Sequence, residues 1–209
     1  DKFTPQKKIN RKLKNKSVLI FGSSGNLGSY AKYFFSKYDV KVNLADRTLP
    51  KRKNKRFKFY KINFKNEKNL KDIILQTKPD YVLYFSSPKI RKATGQKFNK
   101  KLFNNFNFYY YVYFKKIIKY LNGLDKKVLF FYPSTAGLNK SYNNFKFLKE
   151  YIQAKTNAEK ICKKKHINNI KIISHRIEQI KCPQNYNIAG FYEGRPISIM
   201  KKYIEKLLL

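Results

Sequence analysis

Ser17-Val18-Leu19-Ile20-Phe21-Gly22-Ser23-Ser24-Gly25-Asn26-Leu27-Gly28 leads a short apolar, β-prone run into three glycines at three-residue intervals. Helical spacing follows over 27–38, and 41–46 is a second β-prone run. The unit is strand, helix, strand, of the length a parallel crossover needs. Each glycine answers a separate demand: Gly22 the tight turn, Gly25 close approach of backbone to a pyrophosphate, Gly28 close packing of helix on sheet. The start of the helix offers free N–H groups and a partial positive charge to phosphates. A glycine triplet alone says little, but a strand before it and a helix after it are the context the motif requires. The loop from Gly22 to Gly28, with Ser24, Asn26 and Leu27, is therefore expected to bind a dinucleotide.

The same alternation continues outward. Strands are expected at 57–64, 81–86, 127–132 and 170–174, and helices at 67–76, 99–121, 145–165 and 196–208. The Lys/Asn-rich stretch 49–58 reads as a solvated loop. Near-continuous apolar strands alternating with helices predict an α/β, Rossmann-type doubly wound parallel sheet covered on both faces. The division expected is a basic N-terminal arm, 1–16, then one domain, 17–209, whose last part, about 177–209, forms a short substrate-side segment. A chain of 209 residues with 42% hydrophobic content fills one such core.

Asp46 ends the second strand eighteen residues after Gly28, where an acid accepts from adenosine ribose hydroxyls and repels a 2′-phosphate. That favours NAD; Arg47 beside it keeps NADP as the alternative. In Tyr151-Ile152-Gln153-Ala154-Lys155, residues four apart share a helix face. A neighbouring ammonium stabilises phenolate, which suits Tyr151 to general acid/base work. With 17 tyrosines in a lysine-rich chain, the pair gains weight only from its position after the fifth strand. Tyr132-Pro133-Ser134-Thr135-Ala136-Gly137 lies at the carboxyl end of that strand, where open α/β sheets bind ligands. Ser134 and Thr135 are the candidate hydroxyls.

Together these residues resemble the short-chain dehydrogenase/reductase superfamily, specifically its extended branch of NAD-dependent sugar-nucleotide epimerases and dehydratases. The resemblance runs from about Ser17 to Arg176. It rests on Gly22–Gly25–Gly28, on Lys78-Pro79-Asp80-Tyr81-Val82 at the entry to the fourth strand, and on Asn107 in the long helix. Thr135 before its alanine, Tyr151 with Lys155 and then Ala158-Glu159, and Arg176 complete it. The resemblance implies that Tyr151 exchanges a proton with a substrate hydroxyl and that Lys155 holds the nicotinamide ribose and tunes Tyr151. It further implies that Thr135 orients the substrate oxygen while Phe85 and Ser86 contact the cofactor. The implied substrate is a nucleotide-linked sugar, with a reduced C-terminal substrate region. Two copies are implied to pair through the helices at 99–121 and 145–165.

Charge opens a second reading. Forty-eight Lys+Arg against twelve Asp+Glu give a formal net charge of +36, a surface that attracts polyanions. A/T-rich codons account for the abundance of Lys, Asn, Ile, Phe and Tyr but not for the shortage of Glu. A catalytically silent dinucleotide-binding subunit of a larger anionic or RNA-containing assembly is therefore the alternative to an enzyme, though no RNA-binding motif of recognised spacing appears. Cys162 and Cys182 form no ligand cluster, and His166 and His175 lack a metal-binding spacing, so no metal site is expected. Two cysteines suggest a reduced compartment, cytoplasmic or an organelle matrix. No run reaches the length of a membrane span.

Overall fold

The computed structural model describes residues 6–52, 54–90, 97–139, 148–178 and 196–208. Its strands are β1 (Ser17–Phe21), β2 (Lys41–Asp46), β3 (Phe57–Lys61), β4 (Tyr81–Tyr84), β5 (Val128–Thr135), β6 (His166–Ile167) and β7 (Ile170–Ile177). Its helices are α1 (Lys7–Leu13), α2 (Asn26–Phe35), α3 (Glu67–Thr77), α4 (Lys100–Asn107), α5 (Phe114–Asn122), α6 (Lys149–Cys162) and α7 (Pro196–Leu208). The strands form a seven-stranded sheet in the order β3-β2-β1-β4-β5-β7-β6. Every pairing is parallel except that of β6 with β7.

Alternation along the strands builds two cores. Leu19 and Phe21 of β1, Val82 and Tyr84 of β4, and Phe130 and Tyr132 of β5 face one layer, covered by α3, α4, α5 and α6. Val18, Ile20, Leu83 and Phe131 face the other, covered by α1, α2 and α7. Each fully buried apolar side chain contributes roughly 1.5–3 kcal/mol, so a one-residue slip of β1 would exchange both sets at once.

Asp80 anchors the amino ends. It accepts from the Ser17 N–H at 2.8 Å and pairs with Lys126 at 2.9 Å, while its own N–H donates to the Ser17 carbonyl at 2.8 Å. The carboxyl ends are shaped by unequal strand lengths. β4 pairs with β5 only as far as Phe131, whereas β5 and β7 pair through Thr135 and Ile177. Pro133 is tolerated because this stretch of β5 has lost its β4 neighbour, leaving one side of the strand unpaired.

Several boundaries differ from those the sequence suggests. β5 carries Ser134 and Thr135 within the strand, and β7 carries Arg176, because these two strands sustain each other's ladder. β3 and β4 stop earlier than predicted. α6 begins at Lys149 in the structure; 145–147 lie outside the described residues. The basic arm contains α1, whose Ile9 and Leu13 are fully buried although its lysines are exposed. α7 packs on the second sheet face, where Ile199, Met200, Tyr203, Ile204, Leu207 and Leu208 are buried. Within the expected substrate-side segment, 179–195 lies outside the described residues.

The long helix expected at 99–121 is interrupted. Between α4 and α5, Phe108–Tyr113 winds as a π-helix. Its wider turn releases carbonyls that buried tyrosines satisfy. Tyr84 Oη donates to Tyr109 O at 2.7 Å and Tyr132 Oη to Tyr110 O at 3.2 Å. At the other end, the Asn99 side chain caps α4 by accepting from Leu102 N–H, while the Asn99 N–H donates to buried Glu150 at 2.6 Å. That bond fixes the start of α6, one residue before Tyr151.

Candidate active site

Between β1 and β4 the strand order changes direction, and the glycine loop fills the carboxyl end of that junction. Gly22 has φ +74°, and a Cβ there would stand 2.8 Å from Phe85 C and Ser86 N. The loop therefore abuts the end of β4, where Ser86 is buried and Phe85 packs against Phe131. Gly28 is more constrained, since a Cβ would come within 2.1 Å of Gly22 O and 2.8 Å of Gly22 C and Ser23 Cα. All three are backbone atoms and cannot swing aside. A Cβ on Gly25 would meet Gly22 O at 3.2 Å, a milder conflict.

Gly28→Ala is accordingly expected to destabilise the protein by about 3 kcal/mol, the upper part of the overpacking range. Gly123→Ala is the control, because its Cβ would meet Tyr120 O at an ordinary 3.5 Å. Urea unfolding of both variants checks this; equal midpoints would show that the loop yields.

Helix α2 starts without a side-chain cap, since its N-cap is Gly25. The first bond back to the cap runs from Ser29 N–H to Gly25 O at 2.8 Å. The amides of Asn26, Leu27 and Gly28 precede it, as a phosphate cradle requires. Leu27 packs its side chain on the second core. Asp46 is held by the loop: its carboxylate accepts from Ser23 Oγ, from Ser24 N–H at 3.1 Å and from Ser24 Oγ at 2.9 Å. It thus shapes the loop between β1 and α2. Arg47 is exposed beside it.

The second cluster lies on α6 and β5. Tyr151 and Lys155 are 5% and 6% exposed, and the ring of Tyr110, in the π-helical turn, touches both. It lies 5.6 Å from the Tyr151 ring, edge to face, and 4.2 Å from Lys155 Nζ. Burial pushes the Tyr151 phenol up to about 12, against a hydrogen bond with Thr135 that lowers it. Burial brings the Lys155 ammonium down to about 7, against the nearby Cys162 and Glu159, which raise it. Lys155 Nζ donates to Pro133 O at 2.7 Å, a carbonyl on the unpaired side of β5.

The two candidate hydroxyls separate. Thr135 is the hydroxyl neighbour that tempers the rise of the Tyr151 phenol, and it accepts from the Gly137 N–H at 3.2 Å. Ser134 donates to Glu159 at 2.5 Å, and Arg176 grips the same carboxylate through Nε at 2.9 Å and Nη2 at 2.7 Å. Ser134 therefore belongs to a brace tying β5, β7 and α6 together. Asn107 also stands apart: its side chain accepts from Asn157 on α6 at 3.1 Å. Tyr110, Ser87 and Glu159 are the residues of this region that sequence reasoning did not assign a part. Among the described residues no group of His, Cys, Asp or Glu is placed to hold a metal ion, and no helix is long and apolar enough to cross a membrane.

No known sequence family and no curated protein matches the chain. Solved structures do. A short chain dehydrogenase from Burkholderia cenocepacia in complex with NADP superposes with TM-score 0.78 at 9% identity, over 93% of this chain and 85% of that one. One from Leptospira borgpetersenii with bound NAD+ gives 0.76 at 16% identity, over 97% and 89%. The 3-ketoacyl-(acyl-carrier-protein) reductase of Brucella melitensis complexed with NADH gives 0.73 at 12% identity, over 92% and 90%. The fold is that of the short-chain dehydrogenases/reductases, a Rossmann-like α/β fold with a mostly parallel seven-stranded sheet.

Proposed function

We propose that this chain is an NAD(P)-dependent oxidoreductase in which Tyr151 exchanges a proton with a substrate oxygen. One observation carries the reading: the glycine cradle at β1 and the Tyr151–Thr135 pair with Lys155 occur together at the carboxyl edge of one sheet. The cradle suits a dinucleotide, with Gly22 and Gly28 leaving no room for side chains and the α2 amides uncapped. The structural neighbours named above carry NAD or NADP at this fold.

When bound, the nicotinamide supplies or accepts a hydride. Gly25, Asn26, Leu27 and Gly28 bind the diphosphate, and Asp46 reaches the adenosine ribose while bracing the loop through Ser23 and Ser24. Arg47 is the contact a 2′-phosphate would use, and Phe85 and Ser86 floor the crevice. Lys155 holds the nicotinamide ribose. Thr135 aligns the substrate oxygen, and Tyr151, held protonated by its burial, donates to it. This favours reduction of a carbonyl at neutral pH. A nucleotide-linked sugar, as in the epimerase/dehydratase branch, is the substrate the sequence resemblance suggests. A panel of such sugars set against simple ketones and ketoacyl thioesters tests that narrower claim. Pairing of two copies through α4, α5 and α6 stays part of the reading, with solution mass as its measurement.

Titration with NADH and with NADPH, followed by nicotinamide fluorescence at physiological salt, tests the cofactor site. NADH should saturate, and Asp46→Ala should weaken it by tenfold or more, because both the ribose contact and the loop brace are lost. Non-saturating binding that fades steeply with salt for both would mark mere attraction to a basic surface. That result would overturn the enzyme and leave the structural-subunit role.

A further inference from the structure

We infer that Tyr110 is a positioning residue for Lys155: the π-helical turn sets its ring beneath the ammonium, and its hydroxyl is tethered to Ser87 at the end of β4. The inference deepens the site proposed above and rests on that reading for its meaning in turnover.

Three observations carry it. First, Lys155 is buried and, among the described residues, has one hydrogen-bond acceptor, Pro133 O, while its Nζ lies 4.2 Å from the Tyr110 ring centre and 4.9 Å from that of Tyr132. Two ring faces thus stand where water would otherwise solvate the charge. Second, the Tyr110 ring is locked. Its Oη lies 2.5 Å from Ser87 Oγ, and Ser87 Oγ donates its proton to Pro88 O at 2.8 Å, so Tyr110 is the donor in the first bond. Phe106 stacks with it at 6.0 Å and 10°. Third, the backbone pays for this placement with a π-turn, and the carbonyls of Tyr109 and Tyr110 are satisfied by Tyr84 and Tyr132. Single π-turns are rare and concentrate at functional sites.

The charged and titratable groups around Lys155 are Tyr110 from the π-turn, Tyr132 from β5, and Tyr151, Glu159 and Cys162 from α6. Among these, the two tyrosine rings favour the ammonium through their faces. Removing one should therefore make Lys155 easier to deprotonate, and keeping the ring without its hydroxyl should not.

The test is a ¹³Cε-lysine NMR titration of the full chain without cofactor, with the Lys155 signal identified by its loss in Lys155→Met. Tyr110→Leu should lower the Lys155 midpoint by about one pH unit, and Tyr110→Phe should leave it in place. Fluorinated phenylalanines at position 110 keep the shape while weakening the ring face, and should lower the midpoint stepwise. They decide the matter even if the leucine variant does not fold. An unchanged midpoint across the fluorinated series, or an equal drop in Tyr110→Phe and Tyr110→Leu, would overturn the inference. NADH titration of the same samples separates the two claims. If the wild type binds no cofactor, the proposed function fails while the Lys155 midpoints still judge Tyr110.

Discussion

Lys155→Met is expected to raise the stability of the protein by about 2 kcal/mol at neutral pH while weakening NADH binding and turnover. A lysine that titrates at 10.5 in the unfolded chain and at about 7 when buried costs the fold on the order of 4 kcal/mol near neutrality. Methionine replaces the aliphatic stem, one atom shorter, without a charge to desolvate. Against this gain stand the lost contacts to Tyr110 and Tyr132 and a Pro133 carbonyl left without its donor, about 2 kcal/mol together. The pH dependence supplies the sharper test. Between about pH 7 and 10 the unfolded chain holds a proton on this lysine that the folded chain has released. Wild-type stability should therefore rise with pH across that window and be flat in this respect below it. Lys155→Met should lack this contribution. Urea unfolding at about pH 6, 7.5 and 9 reads both effects. Parallel slopes for the two proteins would show that Lys155 carries no burial penalty. A group kept at such expense in a core that would be sounder without it is best understood as serving the site.

What the sequence disclosed follows from which constraints are local. Gly22 and Gly28 were legible because steric demands of a turn and a helix start act within a few residues. That Tyr151 and Lys155 share one face of α6 was legible because positions four apart lie together on a helix, and the sheet was legible because strand–helix alternation survives any particular packing. Thr135 could be preferred to Ser134 by resemblance. What the sequence could not show is that Glu159, itself gripped by Arg176 and far along the chain, accepts from the Ser134 hydroxyl. The π-turn was hidden for a different reason. Phe108-Tyr109-Tyr110-Tyr111-Val112-Tyr113 is aromatic on every side, so no polar marker betrays the extra residue per turn. Its cause lies in Tyr84 and Tyr132 on two other elements. Likewise α1 reads as a charged arm because only Ile9 and Leu13 of its seven residues are fully buried, and their partners on α7 lie almost the whole chain away.

Tyr151→Phe is expected to lower turnover by about 10²–10⁴-fold while changing NADH affinity less than twofold. The substitution removes one oxygen from a buried ring that Phe106 and Tyr110 hold edge to face at 5.7 and 5.6 Å. Phenylalanine fills the same space, and the Thr135 hydroxyl loses a partner, at about 1 kcal/mol of stability. The chemistry suffers far more, because Tyr151 is the phenol beside Thr135. The remaining hydroxyls are committed elsewhere, Tyr110 to Ser87, Tyr132 to Tyr110 O and Ser134 to Glu159. The state of Tyr151 also predicts an asymmetry between directions. With its phenol pushed up to about 12, the wild type should reduce a carbonyl at neutral pH with little pH dependence from this group. Oxidation of the alcohol needs the phenolate and should speed up about tenfold per pH unit above neutrality. A Tyr151→Phe variant that keeps wild-type turnover would assign the proton to another group, and oxidation indifferent to pH would place the phenol's ionisation outside the rate.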